Sequence, residues 1–405
     1  MSKQILEGIN VAEFAAFAAG PAIGKHLADF GAAVVHIESR TAPDGFRTHY
    51  PPYPDNKPGL NRSGTFALFN NNKLSATLDL KSPLAPEVVK KIAAWADIVV
   101  ENMTPGTAKK LGVDYDTLRQ HRPDIIMISS CNQGQTGPHA KHPGFGSHLS
   151  SLSGFTNLIG YPDGLPNILY GPYIDFIGAG FGVVAVMAAL DYRRRTGEGQ
   201  FIDNAQYENG LQFLAGALLD YGCNGRVASR MANRHPQAAP HGAYPCRGKD
   251  CWCVLSVFDE EEWMRLCEVM GKPELASDPR FADVASRKRN EDELVRLIGA
   301  WTSSFAAQEL ADKLQAAGIR GAPVKKMEDI FADPQLQDRE FWHALNHGEM
   351  GLCQYEDSPF KMSKTPSQLT SAAPLLGEHN EHFYTKLLGV PVEEYESLVA
   401  SKVIN

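Results

Sequence analysis

From the N-terminus to about residue 222, apolar positions fall in short β-branched runs separated by stretches with a helical period. Residues 9–15 are a largely apolar run, residues 22–30 follow a helical pattern, and residues 33–37 form a second β-branched run closed by Glu38. That pattern predicts a β-α-β unit. Residues 41–61 are rich in Pro, Gly and Asn and predict a long surface loop. A strand resumes over residues 76–80, after which helices over 87–96 and 107–120 alternate with strands over 97–100 and 125–129. A helix from Asp175 to about residue 195 is broken by Thr196-Gly197-Glu198-Gly199, and a strand over 200–203 and a helix over 205–221 follow. Strands alternating with helices predict an α/β fold with a mostly parallel sheet covered on both faces.

The pattern changes after residue 222. Residues 224–248 are rich in Arg, Pro, His and Gly with little periodicity. A strand-like run over 251–257 and helices over 260–270, 290–305 and 307–317 then predict a smaller α+β domain. The chain therefore divides into a large-domain part (1–222), a small domain (223–332) and a return segment (333–405).

Composition narrows the function. A formal charge of −8 provides no basic field for nucleic acid or anionic lipid, so any anion site has to be local. The opening residues lack the charged and apolar regions of a secretory signal, and no run approaches about 20 uninterrupted apolar residues. A cytoplasmic location is the expectation. The seven cysteines are scattered, and Cys251-Trp-Cys253 has one spacer where zinc knuckles need two to four, so reduced thiols and no metal site are expected. The first strand-helix turn reads Ala18-Ala19-Gly20-Pro21 rather than three spaced glycines, which argues against a bound dinucleotide even though Glu38 stands where a ribose-binding acid would be.

Asp175 opens a Gly-rich helix, and by itself it reads as an N-cap. Gly178, Gly180 and Gly182 together are costly there, at about 1 kcal/mol each relative to Ala, which requires a close approach to that backbone. A bound thioester or a tightly packed subunit would supply one.

Five blocks in order then carry a resemblance. Gly8-x-x-Val-x-x-Phe with Ala19-Gly20-Pro21 and Leu27-Ala-Asp-Phe-Gly-Ala, Val100-Glu-Asn-x-x-Pro-Gly-Thr, Pro143-Gly-Phe, Ala188-Ala-Leu after Asp175, and Arg195-Thr-Gly-Glu-Gly-Gln resemble class III CoA-transferases. The resemblance implies a Rossmann-like large domain built from both ends of the chain, a small domain between, and two interlocked subunits. It implies Asp175 as the nucleophile, coenzyme A or acyl-CoA as substrate, and no tightly bound cofactor. Positions matching the family's CoA contacts are Phe17, Ala18 and Ala19, Ser39 and Arg40, Leu78, Asp79, Leu80 and Lys81, and Asn102, Met103, Thr104 and Lys110. Arg40, Lys81 and Lys110 are the expected phosphate partners, and Arg47 is a weaker candidate.

Three departures from the family pattern stand out: Gly146 where several relatives carry an acid, the non-glycine stretch over 233–242 where some have a run of glycines, and the residues at Ala18, Ser39 and Thr104. A racemase moving the α-proton of an acyl-CoA is the near alternative, but it uses a histidine where this chain has Phe145, with His148 three residues on. A non-catalytic CoA-binding subunit is the other. Glu38-Ser-Arg-Thr-x-Pro-Asp-x-x-Arg and Asn61-Arg-Ser-Gly look similar to members acting on aromatic acids, such as succinyl-CoA:benzylsuccinate CoA-transferase. Phe145, Phe155, Tyr161, Tyr170 and Tyr173 are candidates to line an apolar acid pocket. The expected partners are thus acyl-CoA and a small carboxylic acid, with a homodimer or a heteromer with a related chain.

Overall fold

The computed structural model describes residues 4–405. Six strands, β1 (Asn10–Phe14), β2 (Ala33–Glu38), β3 (Leu74–Thr77), β4 (Ile98–Glu101), β5 (Ile126–Cys131) and β6 (Phe201–Ala205), form one sheet in the order β3-β2-β1-β4-β5-β6. Every pairing in it is parallel. The strands are apolar on both faces because each face has its own core. Val11, Val34, Ile98, Val100, Ile126 and Ile128 face helices Ala19–Asp29 and Tyr173–Thr196, while their neighbours Ala12, Val35, Val99 and Met127 face helix Ala85–Trp95 and the C-terminal Phe383 and Tyr384. The strand order reverses beside β1, between β2 and β4, so a crevice opens at the carboxyl ends of these strands.

The edge strand β3 is covered by the C-terminal segment. His379 N donates to Ser75 O at 3.0 Å, Thr77 N donates to Asn380 Oδ1 at 2.7 Å, and the buried Tyr384 hydroxyl donates to Thr77 O at 2.8 Å.

By contact density the chain forms two compact units. One comprises residues 1–156, 168–227 and 337–405, and the other residues 157–167 and 228–336. The second unit has an antiparallel sheet of β7 (His241–Pro245), β8 (Trp252–Ser256) and β9 (Arg320–Pro323), with Trp263, Leu266, Phe281, Leu294, Ile298 and Leu310 in its core. The first also holds the antiparallel hairpin β10 (Trp342–His347) and β11 (Gly351–Glu356).

Local chemistry moved several boundaries. The helix expected over 107–120 is two short ones, Thr107–Leu111 and Tyr115–Leu118, because Gly112 adopts φ +71° and Asp114 caps the second by accepting from Thr117 N. The helix expected over 205–221 likewise divides into Gln206–Gln212 and Ala215–Asn224. The stretch 41–61 contains helix Gly45–His49, whose Phe46 and Arg47 are buried. Helix Tyr173–Thr196 is, among the described residues, the one helix long and apolar enough to cross a membrane, with a mean hydropathy of 1.9 over 18 residues. Its Ala179, Val186 and Ala189 lie in the core of the sheet, and Gly182 accepts the sheet and the first helix so closely that a Cβ there would come within 2.6 Å of Ile23 and 3.2 Å of Ile128. Gly178 meets Gln206 in the same way, whereas Gly180 faces open space.

A fully buried ion cluster ties β1 and β2 to the chain around them. Lys73 Nζ donates to both Glu13 oxygens at 2.8 and 3.0 Å, to Pro21 O at 2.8 Å and to Asn70 Oδ1 at 2.9 Å. Burial by itself would raise the Glu13 carboxyl, but Lys73 and His36 more than offset it and hold it below the ordinary glutamate value. Removing one partner of such a pair leaves a buried charge uncompensated. We therefore expect Lys73→Met to cost about 3–5 kcal/mol in chemical denaturation. Lys91→Met, which breaks an exposed pair with Glu394, should cost less than about 1 kcal/mol. Equal losses would show that the cluster carries no special weight.

Candidate active site

The carboxyl ends of the strands open on a cavity of about 1420 Å³. Phe14 to Ala19 after β1, Ile37 to Ser39 at the end of β2, Leu78 to Lys81 after β3, Asn102 to Pro105 after β4 and Cys131-Asn132 at the end of β5 all line it. Asp175 and Phe176, from the first turn of helix Tyr173–Thr196, line it as well.

Asp175 differs from its expected role as an N-cap. The helix begins at Tyr173, with Pro172 as its flanking residue, so Asp175 is the third helical residue and its own N–H donates to Pro172 O at 3.0 Å. Its side chain is half-buried, and no hydrogen bond or cation among the described residues reaches the carboxylate. Burial, with nothing to offset it, pushes this carboxyl up to about 7. A helix N-terminus favours the ionised form of a carboxyl in its first turn; at Asp175 desolvation outweighs it. Gly146 explains the missing acid noted in the sequence. A Cβ at that position would lie 2.2 Å from Asp175 Oδ2 and 2.8 Å from Pro172 Cα, so the close seat of the carboxylate excludes any side chain there.

The sequence-derived CoA-contact positions largely converge. Phe17, Ala18, Ala19, Ser39, Leu78, Asp79, Leu80, Lys81, Asn102, Met103 and Thr104 line the cavity that holds Asp175. Arg40 and Lys110 do not line it; both are exposed, next to the lining residues Ser39 and Leu111. Leu78 belongs to the core as well as lining the cavity. Asn102 spends its side-chain amide on the neighbouring turn, accepting from Ala16 N at 2.9 Å and donating to Ala16 O at 2.7 Å. Arg47 is removed as a phosphate candidate. It is buried, donates to both Glu38 oxygens and to Asn61 and Pro374, and stacks over Phe66, leaving no free face.

Of the aromatic residues suggested for the acid pocket, Phe145, Tyr170 and Tyr173 line the cavity and Phe155 packs on Tyr173, whereas Tyr161 belongs to the other unit. Sequence reasoning missed Tyr50, Thr65, Phe69 and Gln206, which also line it. The first lies in the loop-like stretch, and the other three sit on helices with no motif to mark them. Phe17 gathers Phe46, Tyr50 and Phe145 around it, with ring centroids at 5.4, 6.2 and 5.7 Å. His148 accepts from Phe145 N at 3.2 Å through Nδ1, so its ring is a helix cap outside the cavity lining. Cys131 is buried, and burial pushes its thiol up to about 12, which leaves almost no thiolate at neutral pH.

The chain matches the model of CoA-transferase family III over residues 6–380. It is 31% identical over 399 residues to a succinyl-CoA–D-citramalate CoA-transferase of Chloroflexus aurantiacus, with 98% of each chain covered. It is 32% identical to a succinate–glutarate CoA-transferase of Agrobacterium fabrum, covering 95% of this chain and 96% of that one. A solved CAIB/BAIF family protein from Brucella suis shares 30% identity and a TM-score of 0.87, over 95% of this chain and 100% of that one. The chain therefore belongs to CoA-transferase family III and is an enzyme that moves coenzyme A between an acyl-CoA and a carboxylic acid.

Proposed function

We propose that Asp175 is the nucleophile of this transfer. The observation that carries the reading is its carboxylate, half-buried in the cavity wall and, among the described residues, left without a cation or hydrogen-bond donor. Such a group lowers stability when ionised and is poorly solvated, which favours attack on a carbonyl carbon. An Asp175 oxygen attacks the acyl-CoA carbonyl, the C–S bond breaks, and CoA leaves as thiolate, giving a mixed anhydride. The thiolate then attacks the aspartyl carbonyl and expels the donor acid, leaving an aspartyl-CoA thioester. The acceptor carboxylate displaces CoA from it as a second anhydride, and thiolate attack on the acceptor's carbonyl releases the new acyl-CoA and restores Asp175. The acyl-CoA lies along the Phe17–Ala19 turn, Ser39, the Leu78–Lys81 segment and Asn102–Thr104, with Lys81, Arg40 and Lys110 drawn to its phosphates. All three cations are exposed, which leaves them free to meet an anion.

The acid exchanged is of an apolar or aromatic class. Phe17, Tyr50, Phe69, Phe145 and Phe176 line the cavity, while Lys81 and His142 are the only basic side chains lining it among the described residues. The protein acts as a homodimer in the cytoplasm. In support of a partner, Phe181, Val184, Leu218, Leu219 and Tyr221 are apolar and exposed on helices of the first unit, as is Phe213 in the turn between two of them.

Asp175→Asn should lower transfer more than about a hundredfold while CoA still binds. In the wild type alone, acyl-CoA followed by hydroxylamine should mark the peptide spanning residues 171–175. The same variant has a pH signature. The folded carboxyl at about 7 lies above an unfolded value of about 3.9, so its stabilising protonation is complete below about pH 4 and lost as pH rises through 7. Asp175→Asn should therefore raise the melting temperature at pH 8 and converge with wild type by pH 4; a lower melting temperature at pH 8 would contradict the desolvated carboxylate.

Gly146→Ala forces Asp175 from its seat and should cost about a hundredfold in kcat with CoA affinity kept, measured by steady-state kinetics and calorimetry. For the substrate class, a panel of CoA esters and free acids read by mass spectrometry should rank aryl and branched monocarboxylates above short dicarboxylates. Preference for a dicarboxylate pair would overturn that part of the reading.

A further inference from the structure

Behind the Phe17 turn, three carboxylates are buried in one cluster. Glu13 has Lys73 at 2.8 Å and Glu38 has Arg47 at 2.9 Å, but among the described residues Asp44 has no lysine or arginine of its own. Instead it accepts from Phe17 N at 3.0 and 3.1 Å and from Phe46 N at 2.8 Å. His36, fully buried on β2, stands between all three. Its Nδ1 lies 2.6 Å from Glu13 Oε1, and its Nε2 lies 3.6 Å from Glu38 Oε2 and 3.7 Å from Asp44 Oδ2 with no hydrogen-bond partner. A bare ring nitrogen facing a carboxylate sets lone pair against lone pair, so at either end of this ring the favourable arrangement is an N–H.

Phe17 requires such support. Its φ of +62° is the left-handed region, costly for a bulky side chain, and it places the ring over Gly45, where a Cβ would come within 2.3 Å of it. We propose that His36, carrying hydrogen on both ring nitrogens, is the positioning residue that keeps Asp44 ionised and so locks Phe17 in the conformation that shapes the acyl-CoA side of the cavity. The three carboxylates, Lys73, Arg47 and His36 then balance in charge. The inference rests on the reading of this cavity as the acyl-CoA site.

The test combines a spectrum with a mutant cycle. Nitrogen-15 spectra of histidine-labelled wild type at pH 7, with His36 assigned by its loss in His36→Gln, should show one ring with two protonated nitrogens. His36→Gln should raise KM for acyl-CoA about tenfold with kcat within about twofold. In a Phe17→Gly background, where the left-handed turn needs no lock, the same substitution should raise KM less than twofold. A singly protonated ring, a loss confined to kcat, or equal effects in both backgrounds overturns the proposal. If His36→Gln does not fold, the wild-type ring, assigned instead by its shift in Asp44→Asn, decides. Calorimetry of CoA with wild type and Lys81→Ala separates the two readings. No CoA binding, or binding indifferent to Lys81, removes the cavity assignment itself, whereas Lys81-dependent binding unaffected by His36→Gln removes only the lock.

Discussion

The buried pairing of Lys73 with Glu13 is the constraint around which the sheet's carboxyl edge is arranged. Glu13 sits in the middle of the sheet, one residue before the end of β1, where no water can solvate it. Lys73 reaches it from just before β3 and also takes up the Pro21 carbonyl and the Asn70 amide, so the first helix, the start of β3 and the helix before it are fixed to a single point. His36 carries the constraint to β2, and Glu38 and Arg47 carry it into the segment that folds over the edge. In a medium of low polarity each of these groups is stable only with its partner in place, so losing any one of them leaves a buried charge uncompensated.

The cavity in front of this cluster is built on the opposite rule. Behind the turn the Glu13 and Glu38 carboxylates are paired with Lys73 and Arg47; on the facing helix, Asp175 has no partner among the described residues. A carboxylate left in this state is costly to the fold, and the structure keeps it by making room rather than by neutralising it: Gly146 omits the side chain that would occupy its seat. The same helix shows why its glycines are tolerated. Gly182 admits Ile23 at a distance a Cβ would forbid, and Gly178 and Gly182 take Gln206 and Ile128 at distances where a Cβ would be crowded, so the backbone approach inferred from their cost is, at these two positions, the chain's own packing.

Much of this was legible beforehand. Parallel strands announce themselves as apolar runs because both faces are buried, so β1, β2, β4, β5 and β6 were readable from local composition, and the resemblance pointed to Asp175 and to the segments after β1, β3 and β4, which line one cavity. Elements whose limits depend on one dihedral angle were less legible. Gly112 and the Phe213-Leu214 turn each cut a helix that periodicity alone would continue, because a helical pattern of side chains persists across a single change in backbone direction.

Charge was the other illegible quantity. Arg47, Lys81 and Lys110 look alike in a sequence, yet Arg47 is sealed against Glu38 while the other two are exposed. Asp175 looked like a cap favoured by a helix terminus and is instead a desolvated acid. What the sequence by itself determined was the fold class, the family and the identity of the candidate nucleophile, since these follow from apolar periodicity and from motifs read residue by residue. Only the tertiary structure decided which charges are paired, how strongly Asp175 holds its proton and why position 146 carries no side chain, because burial and pairing are set by groups brought together from distant parts of the chain.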